Sequence, residues 1–154
     1  MLDRTDARII LALCQFPRAS VLQIGRLVGA ARNTVHARLT RMTHSGILSD
    51  LDRCVSPHDL GYPIVAFVTC VVEQRKLDRV TTEMEAIAQV VRVVGVSGIA
   101  DLFVEIAAQD SDDLYRLAGV LLAIEGVSRT NVSVSMNEAV SYRTRPLLRM
   151  IADS

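Results

Sequence analysis

The chain has 154 residues, half of them hydrophobic, and 17 basic residues balance 17 acidic ones. This length suits one domain or two small ones with a buried core. No apolar run approaches the roughly 18 residues of a membrane span. No signal-peptide hydrophobic region follows Asp3, Arg4 and Asp6, so we expect a soluble, cytoplasmic protein with no membrane partner.

The zero net charge conceals an uneven distribution of charged residues. Residues 1–49 contain seven arginines and two aspartates, whereas the remainder holds ten basic and fifteen acidic residues. The first third therefore carries +5 and the rest −5. This asymmetry favours a polyanion-binding domain joined to a second domain, although a chance fluctuation would give the same count.

The three cysteines, Cys14, Cys54 and Cys70, are far apart and form no C-x-x-C pair. Such cysteines are typical of small buried hydrophobic residues. Cys54 and His58 would supply two metal ligands, but two further ligands are not evident. We therefore predict no metal site.

Three short helices are predicted in the first domain, residues 1–50. The first covers residues 6–15 and is stopped by Pro17. Ser20 is suited to cap the second helix and Gly29 to end it. The third helix continues to Gly46. Three short helices, the last two separated by a glycine-containing turn, are typical of a helix-turn-helix.

The third helix has one apolar face and one cationic face. At about 100° per residue, Val35, Leu39 and Met42 share the inward face. The opposite face is polar and free of acids, as insertion into the major groove of duplex DNA requires. The residues predicted to read bases or allow close approach are Asn33, Thr34, Ala37, Arg38 and Arg41. His36, on the same DNA-binding helix, is predicted to face solvent or a phosphate. The arginines predicted to contact backbone phosphates are Arg18, Arg26 and Arg32.

A second domain is predicted over residues 63–154, after a linker or wing at residues 51–62. Ser56-Pro57 and the segment 61–63 mark the boundary. Periodicity then predicts strands at 64–72, 91–96, 102–107 and 127–136, with helices at 77–90 and from Ser111 to Gly126. This βαββαβ order predicts an α+β, ferredoxin-like fold. Because the strands are apolar on both faces, we expect the uncovered face of the sheet to pack on a partner subunit.

Several stretches of both domains resemble the leucine-responsive/asparagine-operon (Lrp/AsnC, feast–famine) regulators. They include LDRTDARIILAL, RLVGAARNTVHARLTRMTHSGIL, VVGVSGIADLFVEI and VSVSMNEAV. The most specific points are the leading Leu-Asp-x-x-Asp, the third helix ending in Ser-Gly-Ile and the Ser-Gly-x-x-Asp turn. The resemblance implies a winged helix-turn-helix followed by a ferredoxin-like, RAM/ACT-like domain. It also implies back-to-back homodimers, often assembled into octamers, with amino acids commonly bound as effectors between dimers.

The effector site departs from the family pattern, in which the turn usually reads Gly-Asp-x-Asp. Here it reads Gly98-Ile99-Ala100-Asp101, and of two hydroxyl positions on the last strand only Thr130 remains, with Val132 at the other. Buried charged groups of a ligand need polar partners. The resemblance therefore implies a pocket bordered by Gly98, Ile99, Asp101 and Thr130 that takes a more apolar ligand, a different ligand or none. An ordinary hairpin turn would also explain Gly98 and Asp101.

These features predict a sequence-specific transcriptional regulator that binds double-stranded DNA and responds to an amino acid or related small effector. The alternatives are a nucleoid-associated protein of low sequence specificity and an effector-binding subunit that modulates another regulator. An enzyme is not expected, because the chain has no P-loop, G-x-S-x-G or H-E-x-x-H motif. We expect a cytoplasmic, nucleoid-associated prokaryotic protein without a cofactor. Replacing Arg38 and Arg41 together by alanine is expected to abolish DNA binding without affecting the dimer, since neither should lie in the core.

Overall fold

The computed structural model describes residues 2–48 and 55–154. The chain divides into two compact units. The helical unit comprises Met1–Leu51 and Val140–Ser154, and the sheet unit comprises Asp52–Ala139. No helix in the described ranges has the length and apolarity that a membrane crossing requires.

Three helices of the helical unit lie close to their predicted positions. Asp3 and Ser20 each form a capping box at the start of a helix, and Gly29 ends the second helix in the left-handed conformation with φ 71°. Ser20 and Gly29 were predicted in these roles. The helices are α1 (Arg4–Gln15), α2 (Val21–Val28) and α3 (Arg32–His44).

The inward face predicted for α3 is confirmed. Val35 and Met42 are fully buried and pack with Ile9 of α1 and Ile24 of α2, while Leu39 is partly buried at the edge of this cluster. Burying a side chain completely, as for Val35 and Met42, stabilises the unit by roughly 1.5–3 kcal/mol. This core fixes which face of α3 remains exposed.

A fourth helix, α6 (Arg145–Asp153), completes the helical unit. We expected residues 63–154 to form one domain, but the compact units group 140–154 with the first three helices. Leu148 and Ala152 are buried against Ala7 of α1, which supplies the apolar cover that the stripe on α6 needs. Arg4 Nε donates a hydrogen bond to the Ala152 carbonyl at 2.9 Å, which ties the end of α6 to the start of α1.

Gly25 of α2 lies against the turn that leads into α3. Its carbonyl accepts hydrogen bonds from the amides of Gly29 and Ala30, and a Cβ at Gly25 would lie 2.7 Å from the Ala30 carbonyl oxygen. We expect Gly25→Ala to lower the free energy of unfolding by about 1–3 kcal/mol, because the turn must shift to relieve the clash. Urea unfolding followed by circular dichroism measures this loss.

Gly119, in a helix of the sheet unit, supplies the control for this substitution. A Cβ there meets no atom within 4 Å. We expect Gly119→Ala to leave stability unchanged or to raise it by about 0.5–1 kcal/mol, as alanine favours a helix interior over glycine. Equal effects of the two substitutions would show that the turn tolerates a side chain at Gly25.

The sheet unit has the predicted βαββαβ order. Its four antiparallel strands are arranged β2-β3-β1-β4, which is the ferredoxin-like topology. The α4 helix is shorter than predicted, and the α5 helix is capped by the side chain of Asp110. The elements are β1 (Ile64–Val72), α4 (Leu77–Glu85), β2 (Val90–Gly95), β3 (Leu102–Ala108), α5 (Ser111–Ala123) and β4 (Val127–Val134), with 3₁₀ turns at Pro57–Leu60 and Gln74–Lys76.

The two faces of the sheet differ in composition. The inner face buries alternate residues such as Val68 and Val104, which pack with residues of α4 and α5. On the outer face, Phe67 stacks on Phe103 with ring centroids 5.3 Å apart. The expectation of strands apolar on both faces is wrong for β4. Its outward positions hold Arg129, Asn131 and Ser133.

Residues 51–54 of the predicted linker or wing, 51–62, lie outside the described residues, and Pro57–Leu60 forms a 3₁₀ turn. Residues 45–48, which precede the linker, form a turn and a bend. The Gly46 amide donates to the Thr43 carbonyl at 3.1 Å, and the Ile47 amide donates to the Met42 carbonyl at 3.0 Å. These bonds close the carboxyl end of α3.

Candidate nucleic-acid interface and ligand-binding region

The exposed face of α3 carries most of the side chains predicted to contact DNA. Most of these side chains are exposed, whereas Val35 and Met42 on the other face of α3 are buried. Asn33, Thr34 and Ala37 line one shallow depression together with Arg38 and Arg41. The exposed members of the predicted set are Arg32, Asn33, Thr34, His36, Ala37 and Arg41.

Two of these arginines are held by carboxylates of α1. Arg38 Nη1 lies 2.5 Å from Asp3 Oδ2 and 2.8 Å from Asp6 Oδ1, and Arg41 Nη2 lies 2.5 Å from Asp6 Oδ2. Asp6 is completely buried, and its carboxylate also accepts the Asp3 backbone amide at 3.1 Å. We call these four residues, Asp3, Asp6, Arg38 and Arg41, the α1–α3 clamp.

The electrostatics of the clamp favour the fully charged state. Arg38, with the Asp6 backbone amide, lowers the pKa of Asp3 from 3.8 to about 2. Burial tends to raise the pKa of Asp6, but hydrogen bonds from Arg38, the Asp3 amide and Arg41 outweigh it and the pKa is lowered. Asp3 and Asp6 in turn raise the pKa of Arg38. The clamp therefore stays ionised at neutral pH.

The clamp corrects the expectation that neither Arg38 nor Arg41 belongs to the packed structure. Only 27% of the Arg38 side chain is exposed, and its guanidinium neutralises a buried carboxylate. Arg41 is 54% exposed and uses one nitrogen on Asp6, so its other donors remain free for a ligand. Removing both arginines would leave Asp6 buried without a counter-charge, which changes stability as well as DNA contacts.

Asp3 and Asp6 have a structural role in this surface that was not predicted from the sequence. They are the two acids of the Leu-Asp-x-x-Asp sequence, and they lie three residues apart at the start of a helix. That spacing is the signature of a capping box. Asp3 and Asp6 are the two acids among the seven arginines of residues 1–49. This composition could have indicated that they pair with arginines.

The predicted phosphate contacts Arg18 and Arg26 are both exposed and line one groove with Phe16 and Leu27. Arg18 precedes the amino terminus of α2, and Arg26 lies in its last turn. Arg32 is the first residue of α3. None of these three arginines forms an ion pair with a described residue, so their cationic groups are available to an external anion.

In the sheet unit, Asp101 anchors the β2–β3 hairpin. Its carboxylate accepts the Val72 amide at 2.8 Å and the Gln74 side-chain amide at 2.6 Å. Its backbone amide donates to the Cys70 carbonyl, and its carbonyl accepts the Val96 amide, each at 2.9 Å. Asp101 therefore has a structural role that accounts for its presence without a ligand.

Among the described residues, the hydrogen bonds of Asp101 do not involve the other predicted effector residues. Gly98 adopts φ 116° in the hairpin, and the Ile99 side chain beside it is 91% exposed. Thr130 is half-buried and lies opposite Cys70 on the neighbouring strand. Because Asp101 also bonds to Cys70, Asp101 and Thr130 lie at the same end of the sheet on either side of β1.

The cysteines divide between core and surface. Cys70 is buried, and burial raises the pKa of its thiol to about 11. Cys14 is exposed, contrary to expectation, because it lies at the end of α1 beyond the apolar stripe. Cys54 lies outside the described residues. Among residues 2–48 and 55–154, no three histidine, cysteine or acidic side chains are placed to hold a metal ion.

Family comparisons match both parts of the chain. Residues 2–43 match the AsnC-type helix-turn-helix domain, and residues 65–145 match the Lrp/AsnC ligand binding domain. The HTH-type transcriptional regulator FL11 of Pyrococcus furiosus is 29% identical over 134 residues, covering 87% of this chain and 89% of the relative. A second HTH-type transcriptional regulator of the same organism is 31% identical over 136 residues, covering 87% and 91%.

Solved structures share the fold at lower identity. Escherichia coli AsnC superposes with a TM-score of 0.83 at 20% identity, covering 95% of this chain and 99% of the other. A transcriptional regulator of Neisseria meningitidis, solved as a complex with L-methionine, gives 0.82 at 18% identity, covering 97% and 99%. The matched family consists of transcriptional regulators rather than enzymes, as predicted. The chain belongs to the Lrp/AsnC family of transcriptional regulators, with a DNA-binding helix-turn-helix followed by the family's ligand-binding domain.

Proposed function

We propose that the protein is a sequence-specific transcriptional regulator that reads DNA with the exposed face of α3 and responds to an amino acid. The observation that carries the proposal is the face itself. Arg32, Asn33, Thr34 and His36 present hydrogen-bonding side chains to solvent. Ala37 between them leaves room for base edges, and arginine and asparagine can each read a purine by two hydrogen bonds.

The charge of the two units supports a DNA-binding role for the helical unit. Its sequence holds ten arginines against four aspartates, a net charge of +6, whereas the sheet unit holds seven basic and thirteen acidic residues, a net charge of −6. A duplex is therefore attracted to the helical unit and repelled by the sheet unit. This separation orients the approach of DNA before any base is read.

The amino end of α3 also suits a phosphate. Asp3 and Ser20 cap α1 and α2 with their side chains, whereas Ala31 at the start of α3 offers no side-chain acceptor. The first amides of α3 therefore remain available, and the helix dipole favours an anion there. Arg32 at this end adds a full positive charge.

For the effector we propose an amino acid with an apolar side chain, bound near the β2–β3 hairpin. Ile99 places an exposed apolar side chain where the family pattern has an acid, and Gly98, Asp101 and Thr130 border the same end of the sheet. The L-methionine complex of the Neisseria meningitidis regulator supports this ligand class. Because Asp101 is already hydrogen-bonded, we expect backbone groups and a second subunit to complete the site.

We further propose that the protein acts as a homodimer through the outer faces of two sheets, with further assembly into octamers. The stacked Phe67 and Phe103 lie half-exposed on that face, and such apolar area is usually covered. A homodimer would present two recognition helices to a pseudo-palindromic operator. These assignments agree with a cytoplasmic, nucleoid-associated prokaryotic protein.

Fluorescence anisotropy with a duplex from the region upstream of the protein's own gene tests this proposal. We expect tight binding. The logarithm of the association constant should fall linearly with the logarithm of salt concentration, with a slope of about −0.9 for each neutralised phosphate. One apolar amino acid in a panel should shift the apparent Kd. A salt-independent affinity would contradict DNA binding through α3, and binding that no amino acid shifts would contradict the effector.

A further inference from the structure

A second cationic surface of the helical unit lies on the C-terminal arm, residues 142–149. Arg143, Arg145 and Arg149 stand within seven residues and are exposed, and no described carboxylate pairs with any of them. Together with Tyr142 they line a cavity whose other wall includes Ile10 and Cys14 of α1. Three like charges in so short a segment repel one another until an external anion neutralises them.

The arm is fixed to the carboxyl end of α1. Arg145 Nη2 donates to the Cys14 carbonyl at 3.4 Å, and Leu148 is buried against α1. Because Arg4 at the other end of α1 bonds to Ala152, α6 runs antiparallel to α1. The cationic arm therefore lies at the same end of α1 as the turn that leads into α2.

That turn belongs to the proposed DNA interface. Arg18 lies four residues after Cys14 and two residues before Ser20, which caps α2. In a helix-turn-helix the helix before the recognition helix lies across the DNA backbone. Phosphates that pass Arg18 at the start of α2 would continue toward the arm.

We infer that Arg143 and Arg149 of the C-terminal arm bind the DNA backbone beside the helix-turn-helix and lengthen its phosphate footprint. The inference rests on the proposed DNA-binding function and extends it to a segment that follows the sheet unit in the sequence. Phosphate oxygens are its ligand class, because guanidinium groups pair with them through two hydrogen bonds. Arg145 contributes less, since it also holds the Cys14 carbonyl.

The test compares wild type with the double variant Arg143→Gln/Arg149→Gln in anisotropy titrations on the upstream duplex at several salt concentrations. Loss of two phosphate contacts in each subunit, four in the proposed homodimer, should reduce the salt slope by about 3.6 and weaken binding at least roughly tenfold at 0.1 M salt. The matched control is Arg75→Gln/Arg116→Gln, which removes the same charge from exposed positions of the sheet unit. The control should keep the wild-type slope.

Each outcome decides the inference. A double variant with the wild-type slope and affinity overturns it while leaving the proposed function intact. Equal losses in the double variant and in the control also overturn it, since general charge would then explain the effect. If the wild-type protein does not bind the duplex, the proposed function and this inference fail together. A thermal melt checks that each variant folds, and a single Arg149→Glu variant, which should weaken binding further, repeats the test with reversed charge.

Discussion

Replacing Arg38 with alanine is expected to lower the free energy of unfolding of the helical unit by about 2–4 kcal/mol. The substitution leaves the fully buried Asp6 carboxylate with Arg41 as its remaining side-chain partner and frees one oxygen of Asp3. A buried carboxylate that loses a charged hydrogen bond is still desolvated, but part of the interaction that offset this cost is gone. Urea unfolding measures the loss, and hydrogen exchange of the α3 amides shows whether the recognition helix loosens.

The control for this variant is Arg32→Ala. Arg32 is exposed at the start of α3 and forms no ion pair with a described residue. Its removal should change stability by no more than about 0.5 kcal/mol. A double-mutant cycle with Asp6→Ala adds a sharper criterion, because residues in one ion-pair network couple by about 0.5–3 kcal/mol. Strictly additive losses from Arg38→Ala and Asp6→Ala would contradict the clamp.

The dependence of stability on pH tests the α1–α3 clamp independently. The pKa values of Asp3 and Asp6 are lowered in the folded state, so the unfolded state binds more protons as the pH falls. The stability that the clamp contributes is complete above the ordinary aspartate pKa of 3.8 and is lost as the pH falls toward about 2. Arg38→Ala should therefore lose less stability than wild type between pH 4 and pH 2.

Replacing Ala37 with glutamate is expected to weaken DNA binding by at least about 100-fold. Ala37 lies on the exposed face of α3 between Asn33 and Arg41, in the depression that they share. Glutamate would add bulk where a base edge must approach and a negative charge that faces the phosphates, and each lost base contact costs about 1–3 kcal/mol. Glutamate also favours a helix, so the folded unit should persist.

Anisotropy on the upstream duplex measures this effect, with Ala123→Glu as the matched control. Ala123 is an exposed alanine at the end of α5 in the sheet unit, so that variant makes the same chemical change away from α3. The control should bind DNA as wild type does. If Ala37→Glu binds DNA with the wild-type affinity and has an unchanged melting temperature, the exposed face of α3 does not contact DNA.

The sequence predicted the parts of the fold that local patterns determine. Val35, Leu39 and Met42 mark the buried face of α3 by spacing alone, and Ser20 and Gly29 bound α2 by their capping preferences. The βαββαβ order followed in the same way from alternation and helical periodicity. Helix α6 was not predicted, although Leu148, Ile151 and Ala152 have helical spacing, because nothing local indicated that α1 would cover them.

The candidate site was predicted less completely, since partners distant in sequence decide it. Arg38 lies only about 60° from Val35 around the helix, at the border of the buried face, and its partners are 32 and 35 residues away on α1. The sequence shows that α3 carries cationic side chains, but it does not show which of them are paired with carboxylates of α1. Likewise, the Asp101 carboxylate is engaged by Val72 and Gln74, which a turn pattern does not reveal.

The most direct test of sequence-specific DNA binding is a competition experiment between the native upstream duplex and a scrambled duplex of the same composition. Binding of the wild-type protein to one duplex is measured at about 0.15 M salt while the other duplex is added as the competitor. If the exposed face of α3 reads sequence, the native duplex should bind at least about 1,000-fold more tightly. Equal affinity for the two duplexes would contradict a sequence-specific regulator and indicate instead a DNA-organising protein held by phosphate contacts alone.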